Sequence, residues 1–417
     1  MKDSKSPPDF VARIVRSIPK SGIRDFFDIV NNVPDAISLG VGEPGFPTPW
    51  HIRDAAMYAL EKGATAYTSN LGLPELRRRI SKYVAQFFGI EYSPTDEILV
   101  TTGVSEAVDL AFRATLDPGD EVLYHEPCYV SYRPVVELAH GRPVVLNTRY
   151  EEDFRLTADA VAAKIGPRTK ALILNFPNNP TGATLEPSDL EGIAELARRH
   201  DLLVVTDEIY SELTYEGTHR AIASLPGLRE RTLLLHGLSK AWAMTGFRLG
   251  YACGPRPLID AMMTIHQYTM LCAPTLSQWA GLEAFEQVDA DVAEMRSRFR
   301  RNRNYMVAAF REMGLPLIVP RGAFYAFPRV SGLGMSGREF ALALLEEEKV
   351  AVVPGEAFGA GGADFVRCSY SLYRKSPVAG LSPPKGTAYS LPHSRYSPVT
   401  IKTPPSMVRP RVIRAGT

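Results

Sequence analysis

Seven strand-length apolar runs recur between residues 97 and 254, and they constrain this chain more than any other feature. They read "EILVTT" (97–102), "EVLYHEP" (121–127), "RPVVLNT" (142–148), "KALILNFP" (170–177), "DLLVVTD" (201–207), "RTLLLHG" (231–237) and "RLGYACG" (248–254). Nearly all are rich in Val, Leu and Ile and lack clean apolar–polar alternation, which is how strands covered on both faces read. Between several of them the apolar spacing becomes helical. Val104, Val108, Ala111, Phe112 and Thr115 share one helical face, and "DPGD" (117–120) ends the segment. "EPSDLEGIAELARR" (186–199) has the form of a capped amphipathic helix with Pro187 near its start. Strands alternating with helices predict right-handed crossovers and an α/β fold built on a mostly parallel seven-stranded sheet covered by helices.

At roughly 150 residues per domain, the 417 residues predict two or three domains. The large one is expected over 49–290. Residues 291–313 read as a charge-rich connecting helix. "LPLIVPRGAFYAFP" (315–328), the helix "GREFALALLEEE" (337–348), "VAVVPGEAFG" (350–359) and "ADFVRCSYS" (363–371) form an α+β pattern. That pattern predicts a second, smaller domain over 291–370, with the N-terminal segment 1–48 packed against it. From 371 to 417 there are eight prolines, eight Lys or Arg and no acid, the last being Asp364. Such Pro-rich, one-signed sequence predicts a disordered tail.

A net charge of +1 offers no electrostatic case for nucleic acid or an anionic membrane as partner. The opening "MKDSKSPPDF" lacks a signal-like apolar run, and no stretch approaches the ~20 apolar residues of a membrane span. Cys128, Cys253, Cys272 and Cys368 are widely spaced, which reads as reduced thiols in a cytoplasmic protein. The eight histidines show no metal-ligand spacing, so no metal is expected.

"GVGEPG" (40–45) matches the dinucleotide pattern G-x-G-x-x-G, but Pro44 removes an amide, and Pro47 and Pro49 forbid a helix opening at the third glycine. The next helix is expected to start with Thr48 as N-cap and Pro49 as its first residue. Five other pieces bear on chemistry. "TTGVSEAV" (101–108) opens a helix whose free amides at Val104 and Ser105 suit an anion; a tight βα turn reads the same way. "NFPNNPTG" (175–182) is a rigid polar loop or a plain turn. "VVTDEIYSEL" (204–213) sets Asp207 and Tyr210 at the end of a buried strand, where Asp207 needs a partner or serves as a cap. "HGLSKAWAMTGFRLGY" (236–251) holds Lys240 among apolar residues with Arg248 eight positions on; it is a surface loop or a lysine kept desolvated and therefore nucleophilic. Arg367 interrupts the apolar "FVRCSYS", as a carboxylate binder or half of a buried ion pair.

In this order and spacing the pieces are specific. Together with "SLGVGEPGFPTP", "AYTSNLGLPELR", "GAFYAF" and "VAVVPGEAFG", the chain from about 21 to 371 resembles the class I/II aminotransferases, pyridoxal-phosphate enzymes of fold type I. It is most similar to the aromatic, aspartate and broad-specificity subgroup. The resemblance implies that Lys240 bonds the cofactor's C4′ aldehyde and later moves a proton. Asp207 then pairs with the pyridinium nitrogen, Tyr210 and Asn179 with the ring 3′-oxygen, and Tyr129 stacks on the ring. The Val104 and Ser105 amides, Ser239 and Arg248 hold the phosphate. Tyr67 reaches it from the neighbouring subunit, implying a homodimer. Arg367 clamps the substrate α-carboxylate, aided by Asn179 and the Gly42 backbone. Glu126–Pro127 and Asn179–Pro180 fall where relatives often have cis peptides.

The implied reaction moves an amino group from an L-amino acid, with aromatic or broad specificity, to a 2-oxo acid such as 2-oxoglutarate by a ping-pong route. A C–S β-lyase uses the same residues and is the alternative; a cofactor-sensing regulator has too few residues before "SGIRDFF" for a DNA-binding module. Two departures stand out. Gly237 replaces a serine found in many relatives. After "VRCSYS" the usual closing helix is replaced by "LYRKSPVAGLSPPKGTAYS", the mark expected of a frameshift or divergent terminus and of an impaired or inactive product.

Overall fold

The computed structural model describes residues 10–19, 22–30, 32–286 and 288–371. The expected disorder, missing helix and frameshift signature of the tail lie outside these residues beyond Ser371. Among the described residues there are twelve strands: β1 (Ile37–Ser38), β2 (Ile98–Thr101), β3 (Glu121–Glu126), β4 (Arg142–Asn147), β5 (Thr169–Leu174), β6 (Leu203–Asp207), β7 (Thr232–Gly237), β8 (Gly250–Cys253), β9 (Tyr325–Ala326), β10 (Val350–Ala351), β11 (Val353–Pro354) and β12 (Val366–Ser369). All seven apolar runs enter one sheet, in the order β2-β8-β7-β6-β5-β3-β4. Every pairing is parallel except the two made by β8, which runs antiparallel between β2 and β7.

Successive side chains on these strands alternate between cores, as the pleat requires. Val122, Tyr124, Ala171, Ile173, Val205, Leu233 and Leu235 join the core that includes Val108, Ala111 and Phe112 of the helix Gly103–Thr115. Leu123, Leu172, Leu174 and Val204 pack on the opposite face with Ile193 and Ala197 of the helix Pro187–Arg199. Both faces are therefore dry, and the continuous apolar runs follow from that. The helix Pro187–Arg199 is fixed by a capping box between Glu186 and Asp189, with Pro187 in its first turn.

A smaller antiparallel sheet, β11-β12-β9, and the parallel pair β1-β10 complete the architecture. Ile37 pairs with Val350 and Ser38 with Ala351, so residues near the start of the chain run beside residues near its end. The helix Gly337–Glu348 begins with a second capping box, Ser336 with Glu339. One local expectation fails. The helix Trp50–Glu61 starts one residue late, with Pro49 in the capping position. Thr48 lies one residue outside the cap position and accepts no helix amide; its hydroxyl donates to the Ala243 carbonyl at 2.7 Å and so ties the helix start to the loop that follows β7. Among the described residues no helix is long and apolar enough to cross a membrane.

Candidate active site

The loops leaving the carboxyl ends of β3, β5, β6 and β7 converge, as ligand loops do in open α/β sheets. At the end of β6, Asp207 is 5% exposed. Its Oδ2 accepts from the Tyr132 hydroxyl at 2.7 Å and its Oδ1 from the Ile209 amide at 3.1 Å. Asn175, beyond β5, donates to the Asp207 carbonyl at 3.0 Å and fixes the backbone beneath. Burial pushes the Asp207 carboxyl up to about 6, while the Tyr132 and Ile209 bonds pull the other way. Asp207 thus does cap its own turn, and the same carboxyl also faces the cluster.

Lys240 follows β7 in a loop that is core on one side. Leu238, Ala241, Trp242, Met244 and Leu249 are all buried, and the Trp242 indole donates to the Ala284 carbonyl at 3.2 Å. Trimming a buried Trp to Ala costs roughly 3–5 kcal/mol, so the loop is held rigidly. The partly buried Lys240 Nζ donates to the Gly42 carbonyl at 2.7 Å and lies 5.8 Å from the Phe324 ring centre. Burial lowers its pKa to about 8; Arg367 and Arg248 push the same way and Glu43 opposes.

Arg367, on β12, is 3% exposed. Its Nη1 donates to Asn179 Oδ1 at 2.8 Å and its Nη2 to the Gly40 carbonyl at 2.7 Å. Its guanidinium lies 4.4 Å from the Tyr325 ring and 4.7 Å from the Phe358 ring. Its Nε has no partner, and no carboxylate among the described residues stands within ion-pair distance. The buried ion pair considered from sequence is not what forms. Gly42 sits between these groups: a Cβ there would be 2.9 Å from the Tyr325 hydroxyl and 3.8 Å from Arg367 Nη2. Tyr210 is buried with its hydroxyl 2.8 Å from that of Tyr325. Burial, then Tyr325, push its pKa up.

The helix Gly103–Thr115 points its amino end at the same region. Gly103 has φ +77°, and a Cβ on it would lie 2.6 Å from Arg248 Nη2. Arg248 is exposed, donates to the Thr245 carbonyl at 3.0 Å and itself adopts a left-handed backbone. A Cβ on Gly250 would meet the Val104 amide nitrogen at 2.6 Å, and one on Gly237 the Leu249 carbonyl at 2.9 Å. Gly237, the departure noted above, therefore occupies a place where backbone crowds backbone. Glu106 takes up the Thr102 amide and is held by His266 Nδ1 at 2.7 Å. The amides of half-exposed Val104 and exposed Ser105 lie in this first turn, where the helix dipole favours an anion.

Lys240, Gly42, Tyr325, Tyr210, Arg367 and Asn179 thus form one contact network, joined to Asp207 through Asn175. Ser239 is buried beside Lys240, and Tyr129 stands edge-on to Tyr132 at 5.6 Å. Tyr67 is apart: 80% exposed, with no hydrogen bond or ring contact to the cluster. Both anticipated cis peptides occur, and a third, Phe176–Pro177, was not anticipated. Tyr132, Tyr325, Phe358 and Gly40 were assigned no role from sequence. A signal existed for two of them: Tyr132 follows Tyr129 by three residues in "EPCYVSY", and Tyr325 lies within "GAFYAF".

The sequence profile of aminotransferase class I and II matches residues 34–375. A putative aminotransferase of Bacillus subtilis, YugH, is 48% identical over 362 residues, covering 87% of this chain and 94% of that protein. Aromatic-amino-acid aminotransferase 2 of Thermococcus litoralis is 42% identical over 354 residues, covering 84% of this chain and 91% of that protein. The solved aspartate aminotransferase from Thermus thermophilus with maleate superposes with a TM-score of 0.83 at 39% identity, covering 88% of this chain and 96% of that one. The chain belongs to the class I and II aminotransferases, a pyridoxal-phosphate-dependent family of enzymes of fold type I.

Proposed function

We propose that this aminotransferase takes its amino group from an L-amino acid, aromatic or of broad range, and delivers it to a 2-oxo acid such as 2-oxoglutarate in two half-reactions. The observation that carries this reading is Arg367. A buried guanidinium with N–H groups to spare and no acid beside it is matched to a carboxylate that arrives from outside. Tyr325 and Phe358 lie against it, Phe324 lies near Lys240 and Tyr129 beside Tyr132, aromatic surface that favours an aromatic or apolar side chain on the donor.

Pyridoxal phosphate fits the remaining groups. When bound, it supplies the aldehyde that takes the amino group and the ring that accepts the electron pair left at the substrate α-carbon. Asp207, ionised at pH 7 yet buried, would hold a protonated ring nitrogen with a localised negative charge. The Tyr132 and Ile209 bonds keep that carboxyl from rising further. Lys240, lowered to about 8, holds an appreciable neutral fraction at neutral pH and can attack a carbonyl or receive a proton. The Val104 and Ser105 amides, Ser239 and Arg248 offer donors to a phosphate, and Tyr210 and Asn179 to the ring oxygen. Tyr129 presents a ring face for stacking. The Gly42 carbonyl holds the Lys240 amine in place at 2.7 Å.

The site lies where a large unit, 49–290, meets a smaller one, 291–370. The exposed Tyr67, idle within its own protomer, supports a homodimer that shares sites. We place the enzyme in the cytoplasm on its unpaired cysteines. The test is the absorbance spectrum of the purified protein with pyridoxal phosphate, before and after L-phenylalanine, L-aspartate or L-alanine. A visible cofactor band absent in Lys240→Ala and bleached by the aromatic donor is expected. Release of pyruvate, ammonia and thiol from a cysteine conjugate without transfer would replace this reading with a β-lyase.

A further inference from the structure

Glu126 has no part in the roles argued so far. It ends β3, three residues before Tyr129. Its Oε1 accepts from the Tyr124 hydroxyl at 2.7 Å and its Oε2 from the Ala360 amide at 3.2 Å. Ala360 belongs to "GEAFGAGG" (355–362), the segment that follows β11. Two residues before it, the Phe358 carbonyl accepts from the Cys128 amide at 3.0 Å. Between them Gly359 has φ +126°, and a Cβ there would lie 2.4 Å from Glu126 Oε2. The carboxylate is pressed onto a backbone that only glycine presents.

What this seam fixes is the Phe358 ring. Tyr325 and Arg367 sit on paired strands, β9 and β12, so their stacking is set by the sheet. Phe358, the second ring against the guanidinium, belongs to a loop. Its ring packs edge-on with Phe327 at 6.3 Å, and the backbone that carries it is tied by these two bonds to the segment leading to Tyr129. Both rings stand within 5 Å of the guanidinium carbon, Tyr325 at 4.4 Å and Phe358 at 4.7 Å.

We propose that Glu126 is a positioning residue: by anchoring Gly359 and Ala360 it seats Phe358 against Arg367 and so orients the guanidinium for the substrate carboxylate. The inference rests on the reading of Arg367 as the carboxylate binder. It ties the substrate side of the site to the segment that carries Tyr129.

The experiment compares the holoenzyme with its Glu126→Ala and Glu126→Gln variants. KM for donor and acceptor, kcat, and the cofactor dissociation constant are measured. Losing a bond to a charged acceptor predicts a KM raised about ten- to a hundredfold in Glu126→Ala, with kcat and cofactor affinity within about twofold. Gln keeps an acceptor for the Ala360 amide, so Glu126→Gln returns KM to within about threefold of the parent. A fall in kcat or cofactor affinity with unchanged KM marks a general structural role and overturns the inference. Arg367→Lys separates the two claims. If it leaves KM unchanged, the Arg367 reading fails and the inference with it; if it raises KM while Glu126→Ala does not, only the inference fails. Should Glu126→Ala not fold, Phe358→Leu removes the ring without touching the carboxylate, and an unchanged KM there overturns the inference.

Discussion

Replacing Asp207 by Asn isolates what it costs to keep a carboxylate at the end of a buried strand. Burial lifts this carboxyl from its ordinary 3.8 to about 6. At about 1.36 kcal/mol per pH unit, that difference corresponds to about 3 kcal/mol. The sign follows from proton linkage. The folded protein holds the proton more tightly than the unfolded chain, so stability falls as pH rises from 3.8 to 6, and the full cost is present above 6. Asn stays neutral, still accepts from the Ile209 amide, and can meet the Tyr132 hydroxyl with its own amide. In urea unfolding of the cofactor-free protein, Asp207→Asn should match the parent at pH 4. It should exceed the parent by about 3 kcal/mol at pH 7. Transamination by the same variant should fall by orders of magnitude, because a neutral amide cannot hold a ring proton. A variant no more stable than the parent at pH 7, or a gap that does not widen between pH 4 and 7, would refute burial as the source of the raised pKa.

Tyr132→Phe removes the hydroxyl that donates to Asp207; losing a charge-assisted bond of about 1.5–3 kcal/mol should move the acid limb of the kcat/KM profile upward by roughly one to two pH units. Gly250→Ala drives a Cβ into the backbone of Gly103 and Val104, so it should destabilise the fold by roughly 1–3 kcal/mol and weaken cofactor binding more than the urea midpoint alone accounts for. His125 is stacked on Phe176 and burial lowers it to about 4, so the folded protein loses stability as pH drops from 6.5 to 4. His125→Leu should flatten that acid limb in pH-dependent unfolding, by about 3 kcal/mol over the window.

The sheet was legible because burial on both faces leaves its mark residue by residue: each of the seven apolar runs became a strand. The order β2-β8-β7-β6-β5-β3-β4 was not legible, since it depends on crossovers rather than on any strand's own residues. Lys240, Asp207 and Arg367 stood out as charges in apolar surroundings, a contrast visible in one dimension. Their environments were hidden. Tyr132 reaches Asp207 across 75 residues, Tyr325 reaches Tyr210 across 115, and Gly40 meets Arg367 across 327. Thr48 shows the converse error: a good local capping signal lies one residue outside the helix start, its hydroxyl donating to a carbonyl 195 residues away. Gly237, a departure from many relatives in one dimension, is in three a close approach: a Cβ there would meet the Leu249 and Gly250 backbone and the Val104 side chain.

The contact between Gly40 and Arg367 also sets an order of events during synthesis. The groups proposed for the cofactor, from Val104 to Arg248, lie in a sheet whose last strand ends at Cys253. The groups proposed for the substrate carboxylate wait for Arg367, which pairs near residues from the start of the chain. At translation rates of about 5–20 residues per second, the two are separated by roughly 6–23 seconds on the ribosome. A nascent chain can therefore own a nearly complete cofactor cradle while it still lacks any means to select a substrate. Chains arrested in that interval are the ones in which cofactor capture and substrate recognition can be observed apart.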